Sequence, residues 1–356
     1  MKNTKIVKIG NICIGGKNPV AIQGMTKVPT SNLPVLKKQI KKMIKEGAEI
    51  IRFSVLNEYD TDSIPVLKKE FQIPFVADIH YDWRLAKLSI EKGIDKIRIN
   101  PGNIEKKYLK EIIKVAKDYN IPIRIGLNSG SVKLKGDLVS SLIDSAKDIV
   151  KFFEDNNFFS IVISLKTPFV KETIEAYRKI SEIFDYPLHL GITEAGTGYL
   201  AISKSILGIG ILLNEGIGDT IRVSLTGPPE EEIKVAKSIL QSLNLRIFEP
   251  EIISCPTCGR MKVNLKEVLE RVKKEIKKIE KKYPEIKELK IAVMGCSVNG
   301  PGEAKQADIG IAGGDKKWAL FKKGKIIGTY KESKIVEKLI EEITPDHPTF
   351  KVDSED

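Results

Sequence analysis

Short runs of β-branched residues alternate with longer amphipathic, Lys/Glu-rich stretches across the first 245 residues of this chain. Strand followed by helix, repeated, builds parallel sheets, so this alternation constrains the fold more than any other feature. The pattern predicts strands at Val20–Met25, Ile50–Val55, Phe75–His80, Lys96–Asn100, Ile123–Leu127, Ile161–Lys166, Pro187–Thr193 and Thr220–Leu225. Helical patterns follow most of them, at Leu33–Glu46, Ser63–Glu70, Ile104–Tyr119, Leu138–Phe153, Phe169–Ile183, Gly198–Asn214 and Glu230–Leu243. In the first, Leu36, Ile40, Met43 and Ile44 share one face. Eight strand–helix units of roughly 25–35 residues predict an α/β chain with an N-terminal (β/α)8 TIM barrel rather than an open doubly wound sheet. No GxGxxG follows the first strand, and Ile14-Gly15-Gly16, which precedes it, reads as a turn.

The 356 residues are 42% hydrophobic and 30% charged, enough for a large core and too apolar for disorder. No uncharged apolar run approaches the roughly 20 residues that span a bilayer, so no membrane association is expected. Met1–Gly10 carries no signal-peptide apolar stretch, which predicts a cytoplasmic protein. The net charge of +12 rests mostly on lysines in helical patterns such as Lys37, Lys38, Lys41, Lys42 and Lys45, and these read as solvated faces. The nine arginines carry more information, because a guanidinium is the better bidentate ligand for phosphate.

Chemistry in such barrels sits at the C-terminal ends of the strands, and here those ends are unusually polar. Strand two carries Arg52 and Ser54, strand three Asp78 and His80, strand four Arg98 and Asn100. Strand five carries Arg124, Gly126 and Asn128, strand six Ser164 and Lys166. Strand seven offers His189, Thr193 and Glu194, strand eight Arg222 and Ser224. Four of the nine arginines thus lie on barrel strands, and alternation turns Arg98 with Asn100, or Arg222 with Ser224, to one face. One reading is a buried ion network in which the arginines pair with Asp78, Glu194 and other strand carboxylates. The other is an anion cage of four arginines and Lys166, whose charge suits a diphosphate. Nucleic acid fits poorly, since these charges line a closed mouth without interleaved aromatics.

Beyond residue 245 the texture changes, and a small α+β domain is expected over 246–356 with a polar tail from Thr344. Its elements are a long helix over Leu265–Lys282, strands at Lys290–Val293, Asp308–Ala312, Trp318–Lys322 and Lys325–Tyr330, and a helix over Glu332–Ile343. Cys255 and Cys258, in Cys-Pro-Thr-Cys-Gly, present two thiolates to one metal, and Cys296 supplies a third from a distant loop. A zinc knuckle fits the pair, but a zinc ribbon needs a second pair and none exists. Three thiolates with one further position suit an iron–sulfur cluster. Cys13, in an Ile-rich segment, reads as a core cysteine rather than a ligand.

Seven stretches stand out along nearly the whole chain up to the tail: Val20-Ala-Ile-Gln-Gly-Met-Thr26, Val76-Ala-Asp-Ile-His80, Ile97-Arg-Ile-Asn-Pro-Gly-Asn103, Ile125-Gly-Leu-Asn-Ser-Gly-Ser131, Leu190-Gly-Ile-Thr-Glu-Ala-Gly196, Cys255-Pro-Thr-Cys-Gly-Arg260 and Met294-Gly-Cys-Ser-Val-Asn-Gly-Pro-Gly-Glu-Ala304. Through them the chain resembles the 4-hydroxy-3-methylbut-2-enyl diphosphate synthases, iron–sulfur reductases of the non-mevalonate isoprenoid pathway, in their compact two-domain bacterial form. Gly24 and Asn32 depart from the family pattern, where Ser and Asp are usual. The resemblance implies a [4Fe-4S] cluster held by Cys255, Cys258, Cys296 and the carboxylate of Glu303, a harder and weaker ligand than thiolate. It implies the substrate 2-C-methyl-D-erythritol 2,4-cyclodiphosphate, a cyclic diphosphate. The implied reaction is a two-electron ring opening with loss of one hydroxyl, with electrons from ferredoxin or flavodoxin. Arg52, Arg98, Arg124, Lys166 and Arg222 would clamp the diphosphate, with Asn100, Asn128 and Ser224 adding hydrogen bonds. Asp78 and His80 would line the mouth, and Glu194 would be the acid assisting hydroxyl departure.

Two other readings stand beside it: a phosphate- or pterin-binding barrel enzyme with a structural zinc module, and a zinc-stabilised nucleic-acid-binding protein using the positive charge. A head-to-tail homodimer is also expected. The last barrel helix runs about 20 Å back from the catalytic face, and only eleven residues separate Leu243 from Cys255. A second chain is then the simplest source of a cluster over the mouth.

Overall fold

The computed structural model describes residues 1–259, 261, 263–296, 306–315 and 317–344. The chain divides into two compact units, Met1–Arg246 and Ile247–Asp356.

The first unit opens with a hairpin, β1 (Val7–Ile9) and β2 (Ile12–Ile14). Eight parallel strands follow: β3 (Ala21–Met25), β4 (Ile50–Ser54), β5 (Phe75–Ile79), β6 (Lys96–Ile99), β7 (Ile123–Asn128), β8 (Ile161–Lys166), β9 (His189–Leu190) and β10 (Thr220–Ile221). Their order is β8-β7-β6-β5-β4-β3-β10-β9, and a parallel bridge from Ile163 to Leu188 joins the two ends into a barrel. The surrounding helices are α1 (Leu33–Glu46), α2 (Glu58–Glu70), α3 (Trp83–Glu91), α4 (Lys106–Asp118), α5 (Leu138–Asp155), α6 (Val170–Ile183), α7 (Gly198–Asn214) and α8 (Pro229–Ser242). This is the expected (β/α)8 architecture.

Local chemistry sets the helix ends. Asn57, Asp82 and Asp137 cap α2, α3 and α5, each side chain accepting from a backbone N–H of the first turn. Gly47 ends α1 in the left-handed region at φ +105°, where a side chain is strained. The buried face of α1 is Leu36, Ile40 and Met43, while Ile44 is exposed. Helix α3 was not expected from periodicity, and α2 begins five residues earlier than its apolar pattern suggests, because its first turn is polar and capped.

Strands β9 and β10 are shorter than their β-branched runs. Gly191 interrupts β9: a Cβ there would lie 2.5 Å from the Arg222 carbonyl and 2.6 Å from Lys166 Nζ. The chain leaves ladder geometry where Lys166 needs room. The hairpin closes the opposite end of the barrel, with Val7, Ile9 and Ile14 packing on Ala21, Ile50, Val76 and Val162 at the strand starts. Alternation then turns Lys8 and its cross-strand partner Cys13 outward, so Cys13 is exposed and the core assignment is wrong.

The second unit is a five-stranded sheet, β11 (Glu251–Ser254), β12 (Lys290–Met294), β13 (Ile309–Gly313), β14 (Trp318–Lys322) and β15 (Lys325–Tyr330), in that order. The first three strands are parallel and the last two antiparallel. Helices α9 (Leu265–Ile279) and α10 (Glu332–Ile343) cover one face through Val268, Val272, Ile335 and Leu339 on Ile291, Val293, Ile311 and Leu320. Among the described residues no helix is long and apolar enough to cross a membrane.

Candidate active site

The C-terminal ends of the barrel strands surround a cavity of about 190 Å³ lined by Met25, Arg52, Asp78, His80, Arg98, Arg124, Asn128, Ser164, Lys166, Ile192, Thr193 and Arg222. Five of these side chains are cations and one is a carboxylate. Both proposed arrangements of the arginines are therefore partly present: some ion pairs exist, but far too few to balance the charge.

Asp78 is the hub. Its Oδ1 accepts from Arg98 Nη1 at 2.9 Å, and its Oδ2 lies 3.7 Å from Arg52 Nε and 3.5 Å from His80 Nε2. Burial pushes the Asp78 carboxyl up, but Arg52 and Arg98 outweigh it and hold it well below the usual carboxylate range. Arg98 Nη1 also lies 2.9 Å from His80 Nε2. A guanidinium N–H only donates, so that ring nitrogen accepts from Arg98 and does not donate to Asp78. Arg98 lies flat on β7, where Gly126 makes room: a Cβ there would come within 2.5 Å of Arg98 Nε.

Arg222 turns away from the barrel strands for its partner. Its Nη2 lies 3.2 Å from both oxygens of buried Glu232 on α8, and its Nη1 donates to Ser224 Oγ at 2.9 Å. Lys27 joins the same carboxylate at 2.9 Å. Glu194 takes no part in that pairing. It is exposed, lies outside the cavity lining beside Thr193, and adopts a left-handed backbone at φ +51°, uncommon for a residue other than glycine.

The remaining cations are under electrostatic pressure. Burial lowers Arg52 to about 10, with Arg222 and Arg98 adding to the effect and Asp78 opposing it. Burial, Arg52 and Arg98 press Arg124 down as well, yet its starting value is so high that the guanidinium stays charged. Lys166 is pushed well below its ordinary value by burial and by Arg124, Arg52, Arg222 and Arg98. Nε and Nη1 of buried Arg124 have no hydrogen-bond partner, nor do the Nε atoms of Arg52, Arg98 and Arg222. Unpaired buried donors are rare, and the side chains that carry them line one cavity. An anion with several oxygens would balance their charge.

Ten barrel residues were expected in the substrate site. Arg52, Asp78, His80, Arg98, Arg124, Asn128, Lys166 and Arg222 line the cavity. Ser224 acts through Arg222, and Asn100 accepts from the Gly102 N–H at 3.2 Å, capping a short 3-10 turn. Glu232 and Lys27 were missed. The signal for Glu232 was present in the three glutamates that open α8, but a helix residue reaching into the barrel end is not announced by strand alternation.

In the second unit, β11 and β12 are parallel neighbours with Ser254 opposite Val293, so Cys255 and Cys296 emerge from the same end of the sheet. The Gly295 N–H donates to Cys255 Sγ at 3.3 Å. Cys258 is exposed on the turn, and no cysteine forms a disulfide. Among the described residues no three His, Cys, Asp or Glu side chains are gathered closely enough to hold a metal ion, and Glu303 lies outside the described residues. The donor chemistry nevertheless fits a thiolate-bound iron–sulfur group: Cys255 and Cys296 leave one sheet end as free thiols, and a backbone N–H already points at one sulfur.

Family models match both units, a GcpE TIM-barrel domain over residues 4–237 and a GcpE protein C-terminal domain over residues 251–345. The chain is 48% identical over 352 residues to the 4-hydroxy-3-methylbut-2-en-1-yl diphosphate synthase (flavodoxin) of Fusobacterium nucleatum subsp. nucleatum, covering 97% of this chain and 98% of that one. It is 50% identical over 349 residues to the protein of the same name from Caldanaerobacter subterraneus subsp. tengcongensis, with 96% and 97% covered. Dihydropteroate synthases of Coxiella burnetii and Yersinia pestis are structurally similar, each with a TM-score of 0.51 over 68% of this chain and 99% and 100% of theirs, at 14% and 13% identity. At that identity the likeness is one of fold.

Asp78→Asn leaves Arg52 and Arg98 buried without a counter-charge. It should cost about 3–5 kcal/mol in denaturant unfolding at pH 7, the scale for breaking a buried ion pair. The Asp78 carboxyl is depressed in the folded state, so its contribution is complete above the unfolded value of about 3.9. It fades as pH falls through the depressed folded value, and the two proteins should converge there. Equal stability at pH 7 would contradict this account of the cage.

Proposed function

The chain belongs to the GcpE family, and on that footing we propose that its barrel binds 2-C-methyl-D-erythritol 2,4-cyclodiphosphate and that the protein reduces it to 4-hydroxy-3-methylbut-2-enyl diphosphate. The reaction is an oxidoreduction: two electrons open the ring and one hydroxyl leaves as water. Reduced flavodoxin, the donor named for the relatives, is the electron source. The observation that carries this reading is the cavity with five cations against one carboxylate.

The chain's own residues bind and orient. Arg124, Arg98 and Arg52 present guanidinium charge to the phosphate oxygens, and Lys166 and Arg222 close the cage from the next strands. Asn128 adds a neutral contact, Ser224 and Glu232 fix the Arg222 guanidinium, and Asp78 with His80 fixes Arg98. Glu194, at the rim beside Thr193, supplies the proton for the departing hydroxyl; its strained backbone supports the assignment. Cys255, Cys258, Cys296 and Glu303 would hold a [4Fe-4S] cluster, which supplies electrons singly and an iron site open to substrate.

The barrel face around the cavity exposes large apolar side chains on the loops and first turns after the strands, among them Leu56, Tyr81, Leu134, Phe169, Tyr199 and Leu200. Such a surface belongs under a protein partner, and the cysteine-bearing unit of a second chain in a head-to-tail dimer is that cover.

Anaerobic turnover of the cyclic diphosphate with reduced flavodoxin tests the reading; a protein that binds iron yet leaves this substrate unchanged would overturn it. Cys255→Ser, Cys258→Ser and Cys296→Ser should each lose iron and activity, whereas Cys13→Ser, altering an exposed hairpin residue, should keep both; iron per chain is the measurement. Glu194→Gln should bind cluster and substrate and lose about a hundredfold in turnover, the scale of a general acid; near-normal turnover would remove it from the chemistry. Mixing inactive Cys258→Ser chains with inactive Arg124→Ala chains should restore part of the activity, and a mixture that stays inactive after confirmed subunit exchange would exclude the shared site.

A further inference from the structure

Below the cage lies a second polar layer that the reaction does not use. Lys96, on β6, precedes Arg98 by two residues and therefore points to the same barrel interior. It is fully buried, it is absent from the cavity lining, and its Nζ has no hydrogen-bond partner. His189 Nε2 and both amide atoms of Gln23 are likewise buried and unpartnered. An ammonium there is fully buried, has no acceptor among the protein's groups, and faces other cations.

Several charged and titratable groups share this interior. Arg52 on β4, Arg98 beside it on β6, Arg124 on β7 and Arg222 just past β10 are guanidiniums. Asp78 on β5 is the nearby counter-charge, already shared by Arg98 and Arg52. Lys166 on β8 lines the cavity, where an anion reaches it directly. His189 on β9 has Nδ1 within 2.8 Å of Thr220 Oγ1. Burial, Arg124 and Arg52 push Lys96 well below its ordinary value, and burial followed by Arg124, Lys166, Lys96 and Arg52 does the same to His189.

We propose that Lys96 is a positioning residue that couples substrate binding to proton uptake: a neutral amine in the empty barrel, it takes one proton from solvent when the anion fills the cage. The ammonium formed beneath Arg124 then adds a charge only when there is an anion to hold. This rests on the reading of the cage as the cyclic diphosphate site. Each phosphorus of that substrate carries one strongly acidic oxygen, so the ligand brings no proton of its own near neutral pH.

The test is calorimetric titration of the cyclic diphosphate into the full-length, anaerobically prepared protein without reductant, in buffers of different ionisation heat. The wild type should take up close to one proton at the pH of maximum uptake. Uptake spans the interval between the Lys96 value in the empty barrel and its raised value under the anion. Below that interval the amine is already charged, and above it the amine stays neutral. Within it the dissociation constant should rise with pH by up to about tenfold per unit. Lys96→Met, or Lys96→Gln should the first not fold, should show no uptake and a flat pH profile, while His189→Asn keeps the uptake. Uptake surviving in both Lys96 variants, or lost in His189→Asn, would overturn the assignment. Wild-type binding without proton uptake would also overturn it, whereas no binding at all would instead defeat the reading of the site.

Discussion

Asp78 is the one carboxylate among the side chains lining the cavity, and the geometry of the cage depends on it. Two like charges about 4 Å apart repel by about 4 kcal/mol at an effective dielectric constant near 20. Arg52 and Arg98 converge because Asp78 stands between them, and Arg98 is then laid over Gly126 and against His80. Glu232 does the same for Arg222 and Lys27 on the far side. Between these two anchors, Arg124 and Lys166 are held by the barrel itself. The fold supplies the rigidity that the charge distribution opposes, and an incoming anion relieves that opposition.

This division of labour explains the rest of the first unit. The hairpin of β1 and β2 fills the far end of the barrel with Val7, Ile9 and Ile14, leaving the catalytic end free to be polar. Gly126 and Gly191 are small because Arg98 at the first, and the Arg222 carbonyl with Lys166 at the second, occupy the space a Cβ would take. Strand β9 loses its ladder where Lys166 enters, so regular structure is given up next to the chemistry. The second unit follows another logic: an apolar sheet under two helices carries Cys255 and Cys296 just past neighbouring strand ends.

The barrel was legible because its period is long and repeated, and because strand alternation places Arg52, Arg98, Arg124 and Arg222 at matching depth. What alternation cannot convey is contact between elements. It put Glu194 among the candidates to pair with Arg222, whereas the partner is Glu232, delivered by a helix. It placed Cys13 in the core, because a three-residue strand in an Ile-rich segment has too few positions to show which face is buried. The hairpin and α3 escaped for a similar reason, being short elements set by turns and caps. Lys96 stood in plain view two residues before Arg98, but a single lysine in a lysine-rich chain gives no sign of being buried. Glu303 carries its motif in sequence and lies outside the described residues.

The central claim is that the guanidinium cage lining the barrel cavity is the receptor for the substrate's phosphates. A crystal structure of the anaerobically prepared protein with the cyclic diphosphate, obtained without reductant, tests it most directly. The account predicts phosphate oxygens within about 3.2 Å of Arg124 and Arg98 nitrogens, the distance of a charge-assisted hydrogen bond, with Asp78 still holding Arg98. Substrate bound elsewhere, out of reach of those guanidiniums, would contradict it.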